Sequence, residues 1–441
     1  MSDPVSRWSV RPVGPLRGDV QIAGSKNAIT KHMVAAMLAD SPSLIDNAPD
    51  VGDVALTAEM LHAIGAHVTS EGSRVTIDPG PISSGRVPEA FTGRNRIPIL
   101  MLGPLLHLHG EAFVPMVGGD DIGGRPIDFH VSVLRAFGGE VDVSTGGVTA
   151  KAARLHGARI SLPYPSVGAT ESALLTAVLA EGRTVIENAA IEPEVVELAL
   201  FLQRMGARLE LQPNRRWVVE GVSRLQGASR RLAGDRLEGF SYLAAGLATG
   251  GAVTIRGVSQ GNLVTGLSAL RRMGATLQID EDGISASAPD GLQALAVHTD
   301  THPGFMTDWQ QPLAVLCTQA AGLSVIHETV FEGRFGYVAS LAAMGAAVEL
   351  YDQCLGGAAC RFHESNYRHS AVISGPTALH GAAIDVPDVR GGFAYLLAAA
   401  AADSESVLTG VHHIERGYHR PLEQFAALGL DITSESSSRR E

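Results

Sequence analysis

Six times along the chain an apolar-periodic helix runs into a glycine, and the residues that follow alternate as a strand. The passages are LHAIGAHV with Gly65, LRAFGGEV with Gly138, LQRMGARLEL with Gly206, LRRMGATLQI with Gly274, LAAMGAAVEL with Gly345 and FAALGLDI with Gly429. They recur about every 70 residues, the last interval being longer. Self-similarity at a near-fixed period means a fold assembled from copies of one supersecondary unit. In each copy Leu or Phe lies on a helical face, and the glycine supplies the left-handed cap that turns the chain into the strand.

Upstream of each glycine lies a second helix-to-strand passage. Five are plain: MVAAMLADSPSLIDNAP, AVLAEGRTVIENAA, AAGLATGGAVTIRGV, AAGLSVIHETVFE and AAADSESVLTGVHHIE, with GPLLHLHGEAFVPMV as the divergent copy. Each unit therefore reads helix, strand, loop, helix, glycine, strand. A chain of 441 residues exceeds one ordinary core, and 45% apolar residues suffice for two. Two mixed α/β domains of three units each follow, with a boundary near residues 232–235. The pattern leaves open whether the N-terminal strand, residues 11–23, belongs to the first domain or crosses to the second.

Composition narrows the function classes. A formal charge of −12, with 18% charged and 5% aromatic residues, argues against a polyanion binder or a base-stacking surface. Any basic cluster must be local and aimed at a small ligand. Cys317, Cys354 and Cys360 are odd in number and lack zinc-type spacing, so neither a disulfide framework nor a metal site is expected. The pairs His107/His109 and His412/His413 lack carboxylates at ligand spacing. Glycine fingerprints for ATP or NAD are absent, and no cofactor is expected. The first residues lack a secretion signal, and the longest apolar run, 394–402, is too short for a bilayer. A cytoplasmic monomer is expected, with a disordered polar tail at 434–441.

The segments that open the first helix of each unit are polar where the rest is apolar: GSKNA, RNRIP, PSVGATE, GDRLE, MTDWQ and PDVRGG. A helix N-terminus leaves N–H groups unpaired and carries partial positive charge, so it favours anions. Ser25, Ser166, Asp308 and Asp388 are good N-caps and need no further reason. Capping cannot explain Lys26 or Arg96, because a cation at a helix start is disfavoured unless an anion offsets it. The loops after the first strand of each unit add a second ring of polar groups at 50–53, 118–125, 192–194, 332–334 and 415–416. The most unusual is VGGDDIGGRPIDFH, residues 117–130, in which Gly118, Gly119, Gly123 and Gly124 surround Asp120 and Asp121 and Arg125 follows. Such glycines permit positive φ and close approach to a ligand, and arginine supplies a planar fork for phosphate or carboxylate.

GSKNA, GGDDIGGRP, PSVGATE, TDWQQ, ETVFEGRF, DVRGG and HIERGY resemble, in order and spacing, the enolpyruvyl transferases, over residues from about 15 to 432. The resemblance implies a two-domain inside-out α/β barrel. Each domain would hold three repeated units with pseudo-three-fold symmetry, and the active site would lie in the interdomain cleft. Domain I would span residues 22–233 with a mobile loop at about 115–126, and domain II would take residues 1–21 and 234–433. The implied reaction transfers the enolpyruvyl group of phosphoenolpyruvate to the 3-hydroxyl of UDP-N-acetylglucosamine and releases phosphate. Carried over by position, Lys26, Arg125 and Arg416 are ligands of the phosphoenolpyruvate anions, with Arg96 and Arg390 as supporting cations. Asp308 resembles the aspartate that takes or holds the sugar hydroxyl proton, and Asn27 the residue that holds the sugar. Arg125, Pro126, Ile127, Asp128 and Phe129 resemble the segment around uracil, and Ser166, Val167 and Gly168 the diphosphate cradle. Val330 and Asp388 fall in matching motifs and are implied to be substrate-binding as well.

The sequence departs from the family pattern at Asp120, where most members carry a cysteine read as a proton donor and as the target of the epoxide fosfomycin. Asp120 is assigned as the general acid, with Asp121 as the lesser alternative; burial raises a carboxyl's affinity for its proton and nearby arginines lower it. Two further departures keep a second acceptor open. Tyr164-Pro165 stands where the family often places a lysine, and Ser25 where alanine is usual. The alternative is enolpyruvyl transfer to the 3′-hydroxyl of uridine monophosphate. A shikimate 3-phosphate acceptor would leave the Arg125-Pro126 segment without purpose. A protein that binds these ligands without turnover would not need Lys26, Asp308, Arg390 and Arg416.

Overall fold

A computed structural model describes residues 6–120, 122–281, 283–357 and 359–436. Asp121 therefore lies outside the described residues. The chain divides into two compact units: an N-terminal unit of Gly24–Gly119 with Arg125–Leu232, and a C-terminal unit of Met1–Ala23, Asp120–Gly124 and Ala233–Glu441.

At the centre of the N-terminal unit are helices α1 (Lys26–Ala36), α2 (Pro98–His109) and α3 (Val167–Ala177). At the centre of the C-terminal unit are α4 (Arg236–Ala248), α5 (Gln310–Gln319) and α6 (Val389–Ala400). Every residue of α4 and α6 is buried, as is nearly every residue of α3 and α5. A helix apolar on all sides has no solvent face and must lie inside. The second helix of a repeat is different: Asp128–Ala136, Pro193–Arg204 and Val264–Arg272 bury only one face. Helices inside and sheets outside reverse the usual α/β layering.

Among the described residues each unit has three sheets. In the N-terminal unit, Ser43–Asp46 pairs antiparallel with Arg74–Asp78 and parallel with Ser229–Arg231, so the last repeat hands a strand back to the first. In the C-terminal unit, Arg17–Gln21 runs parallel to Ala252–Arg256, with Val20 opposite Ile255. The six repeat glycines, Gly65, Gly138, Gly206, Gly274, Gly345 and Gly429, all have φ between +90° and +107°. A β-carbon there would be strained, which explains why each helix stops at that residue.

One expectation needs correction. Ser434 and Glu435 are not a free tail: the strand Asp431–Ser436 pairs antiparallel with Ser6–Arg11, and Arg7 Nε donates to Glu435 at 2.8 Å. A two-strand ladder is made by backbone groups, so polar side chains do not prevent it. Residues 437–441 lie outside the described ones. No helix among the described residues is long and apolar enough to cross a membrane.

Candidate active site

In the N-terminal unit the polar openings of α1, α2 and α3 gather cations. Lys26 Nζ lies 2.8 Å from Asp53 Oδ2, and both side chains are largely buried. The anion that a helix-start lysine requires is thus supplied within the protein. Ser25, expected to cap α1, does not: its hydroxyl is buried and accepts no bond from the helix. Asn27 is half-buried in the first turn of α1. At the start of α2, Asn95 Oδ1 accepts the Ile97 N–H at 3.0 Å, and this leaves Arg96 projecting beside the loop. Arg96 Nη1 donates to the Arg125 carbonyl at 3.0 Å, and among the described residues no carboxylate pairs with Arg96. Burial and the neighbouring Arg125 charge push the Arg96 guanidinium down to about 10. Two cations held this close favour a bound anion between or beside them.

Arg125 has φ +39°, a left-handed conformation rare for a side-chain-bearing residue and a store of local strain. Gly119, at φ +123°, lies against both arginines: a β-carbon there would be 3.0 Å from Arg125 Nη1 and 3.3 Å from Arg96 Cγ. Of the four loop glycines only Gly119 and Gly123 take positive φ; Gly118 is needed for close approach, since its β-carbon would meet the Gly93 carbonyl. Ile127 precedes the helix Asp128–Ala136; Pro126 and Asp128 are exposed and Phe129 is half-buried. Ser166 caps α3 by accepting the Ala169 N–H at 3.4 Å; Val167 is exposed and Gly168 abuts the His130 ring. His130 Nδ1 is 2.7 Å from Ser172 Oγ, and burial followed by the Arg96 charge drives His130 down to about 3. It faces the start of α3 as a neutral ring.

Glu171 in α3 is a residue that sequence reasoning missed. It is fully buried, and burial, reinforced by Glu194 and Glu192 and opposed by Lys31, pushes it up to about 7. Its folded value lies above the ordinary 4.5, so the folded chain keeps a proton that the unfolded chain releases. Stability therefore falls as pH rises from about 4.5 through 7. Glu171→Gln is expected to stabilise the protein at pH 8 by on the order of 3 kcal/mol and to have little effect at pH 4. Urea unfolding at the two pH values measures this; an equal effect at both would rule out the protonation account.

In the C-terminal unit Asp308 sits in the short turn Thr307–Trp309 just before α5. Its Oδ1 accepts from Arg334, whose side chain is only 1% exposed, and lies 3.9 Å from Arg390 Nε. The turn is fixed by Glu328, a second group that sequence reasoning missed. Glu328 Oε2 accepts from Thr307 and Gln310 on either side of Asp308, and Oε1 accepts the N–H groups of Val330 and Phe331 at 2.7 and 3.0 Å. Burial raises the Glu328 carboxyl, against the opposing pull of Arg334 and these donors. Asp388 caps α6 by accepting the N–H groups of Arg390 and Gly391 at 2.9 Å. Arg390 is buried, lies 5.0 Å from the Tyr418 ring centre, and among the described residues its Nη1 has no hydrogen-bond partner. A buried guanidinium nitrogen of this kind suits an anionic oxygen.

Asp120 is also in this unit. It accepts from Arg416, in the short helix His412–Gly417, and both side chains are about four-fifths buried. Gly123 packs on Glu332 so closely that a β-carbon would lie 2.4 Å from the carboxyl carbon, and the Gly124 N–H donates to Glu332 at 2.8 Å. Asp120 is thereby held by Arg416, and Gly123 and Gly124 by Glu332. Arg334, Glu332 and Asp53 come from the second ring of loops noted in the sequence; their partners could not be read there.

Comparison with known proteins agrees with this architecture. The family model for EPSP synthase (3-phosphoshikimate 1-carboxyvinyltransferase) matches residues 10–425. The UDP-N-acetylglucosamine 1-carboxyvinyltransferase of Protochlamydia amoebophila is 42% identical over 428 residues, covering 95% of this chain and 92% of its own. The protein of the same name from Chlamydia pneumoniae is 43% identical over 425 residues, covering 95% and 93%. Among solved structures, the enolpyruvyl transferase NikO from Streptomyces tendae superposes with a TM-score of 0.87 at 25% identity, covering 98% of this chain and all of that one. An EPSP synthase from Acinetobacter baumannii, at 16% identity and TM-score 0.73 with the same coverage, shares the fold. Six repeats, two sets of three buried helices and these full-length matches agree: the chain belongs to the EPSP synthase family and is an enolpyruvyl (1-carboxyvinyl) transferase.

Proposed function

We propose that the acceptor is the 3-hydroxyl of UDP-N-acetylglucosamine, so that the enzyme supplies a peptidoglycan precursor in the cytoplasm. The observation that carries this reading is the identity of 42–43% along more than nine-tenths of two relatives bearing that activity in their names. Lys26, Arg96, Arg125, Arg390 and Arg416 bind the phosphate and carboxylate of phosphoenolpyruvate. Asn27 holds the sugar, residues 125–129 the uracil, and residues 166–168 the diphosphate, with Val330 and Asp388 as further substrate contacts. The partly buried state of Arg96, with no carboxylate paired to it among the described residues, supports an anion there.

In the addition step the sugar hydroxyl oxygen attacks C2 of phosphoenolpyruvate. Its proton passes to Asp308, while Asp120 delivers a proton to the methylene carbon, which becomes a methyl group. Collapse then expels phosphate as that methyl returns a proton to the Asp120 carboxylate, restoring the double bond, and the proton held by Asp308 is released. Asp308 is positioned for this role because its turn is clamped by Glu328, and Arg334 and Arg390 keep its carboxylate ionised and so able to accept, although the same cations weaken it as a base. Asp120 accepts from Arg416, so its acid role requires that pair to open when substrate arrives.

Uridine monophosphate is the other acceptor that the sequence leaves open, on the departures at Tyr164-Pro165 and Ser25. Phosphate release from phosphoenolpyruvate, measured with each nucleotide in turn, separates the two. The expected result is turnover with UDP-N-acetylglucosamine and none above background with uridine monophosphate; the reverse preference would overturn the proposed acceptor.

A further inference from the structure

The C-terminal unit carries a cluster of ligand-type side chains that the reaction does not use. The strand Ala320–His327 pairs antiparallel with Ser370–Gly375, and the register sets His327 opposite Ser370, beside His369. The strand Ala347–Tyr351 ends at the same level, with Tyr351 opposite Ser370. Between Tyr351 and Ser370 the chain makes an excursion without regular secondary structure among its described residues, and this brings Cys354 and Cys360 back over the strand ends. One ligand atom from each of His327, Cys354, Cys360 and His369 lies within 4.8 Å of every other.

The details suit one ion held by all four. Cys354 Sγ is 3.6 Å from Cys360 Sγ and 3.3 Å from His369 Nε2. A disulfide needs sulfurs about 2.05 Å apart. Two thiolates bonded at about 2.3 Å to one tetrahedral ion stand about 3.8 Å apart. His369 Nδ1 lies 2.7 Å from the Tyr367 carbonyl, which fixes the proton on that nitrogen and leaves the Nε2 lone pair facing the cysteines. The Phe362 N–H points at Cys360 Sγ at 3.3 Å, and Ser370 Oγ binds the backbone on both sides of Cys354. Both histidines are at most 1% exposed, and among the described residues His327 Nε2 has no hydrogen-bond partner. A buried ring nitrogen left unpaired is costly unless something binds it.

We infer that His327, Cys354, Cys360 and His369 form a structural zinc site that pins the excursion 352–369 to the sheet. Two thiolates and two imidazoles in a compact set select zinc by softness and geometry. With four protein ligands no position is left for substrate, so the ion acts on structure and not on the transfer reaction. Binding displaces one proton from each thiol and adds no redox step. The pinned excursion carries Arg361, which lies 3.7 Å from Glu332, the residue that accepts the Gly124 N–H of the active-site loop. Sequence spacing shows no metal signature because one ligand, His327, arrives by strand pairing from a position distant in the chain.

The test is metal analysis of the full-length protein purified without chelator or added metal. One zinc per chain that survives gel filtration is expected, released in one equivalent when the thiols are alkylated. Replacement by cobalt(II) in the unaltered protein should give thiolate charge-transfer and tetrahedral ligand-field bands. Zinc should be lost in the Cys354→Ser/Cys360→Ser variant and kept in His363→Ala, whose exposed ring lies 3.9 Å from Cys354 but outside the four. Protein without zinc that shows no cobalt bands, a mass lower by two hydrogens with the cysteines oxidised to a disulfide, or stoichiometric binding of another metal alone would each overturn it.

Discussion

Asp308→Asn is expected to lower kcat by about 10²–10⁴-fold, the usual contribution of a positioned proton acceptor. The amide keeps the shape of the side chain but can neither take the hydroxyl proton nor balance Arg334, whose guanidinium is buried to 1% exposure. Breaking a buried pair while leaving one charge behind costs about 3–5 kcal/mol, so the variant should also unfold earlier. The two effects are separable, because the stability loss is shared by Arg334→Met and the kcat loss at fixed folded fraction is the proton-transfer term. Steady-state kinetics under saturating substrates, on protein shown by circular dichroism to be folded, measures it. A folded Asp308→Asn enzyme with unchanged kcat would remove Asp308 from the chemistry.

The second large effect concerns Asp120. Asp120→Asn cannot release a proton and should lose turnover to a comparable degree, about 10²-fold or more. Asp120→Cys should retain turnover, since a thiol can also deliver a proton, and should gain a covalent fosfomycin adduct. The unaltered protein should gain no mass on incubation with fosfomycin, because a carboxylate forms no thioether. Intact-protein mass spectrometry reads both outcomes. An adduct on the unaltered chain would contradict the prediction for the natural enzyme, and an active Asn variant would remove Asp120 as the acid.

Much of the architecture is legible from the residues, because it rests on local rules repeated six times. A helix followed by glycine at positive φ is stated by the sequence itself, and all six glycines adopt that conformation. The almost wholly apolar run of α6 after Arg390 likewise announces burial on every side. Pairing is less legible. Nothing near Lys26 in the sequence points to Asp53, and the capping role expected of Ser25 goes unfilled. Glu328 looks like one more loop charge until its four bonds around Asp308 are seen. The cysteines are the plainest case: their spacing carries no metal signature, and only the strand register brings His327 to them and to His369. Ser434 and Glu435 err in the other direction, since polar composition hid a backbone ladder.

The proposed chemistry joins an enolpyruvyl group to a nucleotide sugar, and the product itself is its most direct witness. Incubated with phosphoenolpyruvate and UDP-N-acetylglucosamine, the protein should yield the nucleotide sugar heavier by one enolpyruvyl group, with one phosphate released per product, as read by mass spectrometry and a phosphate assay. Phosphate released while the sugar nucleotide stays unmodified, or no reaction at all with that acceptor, would contradict it.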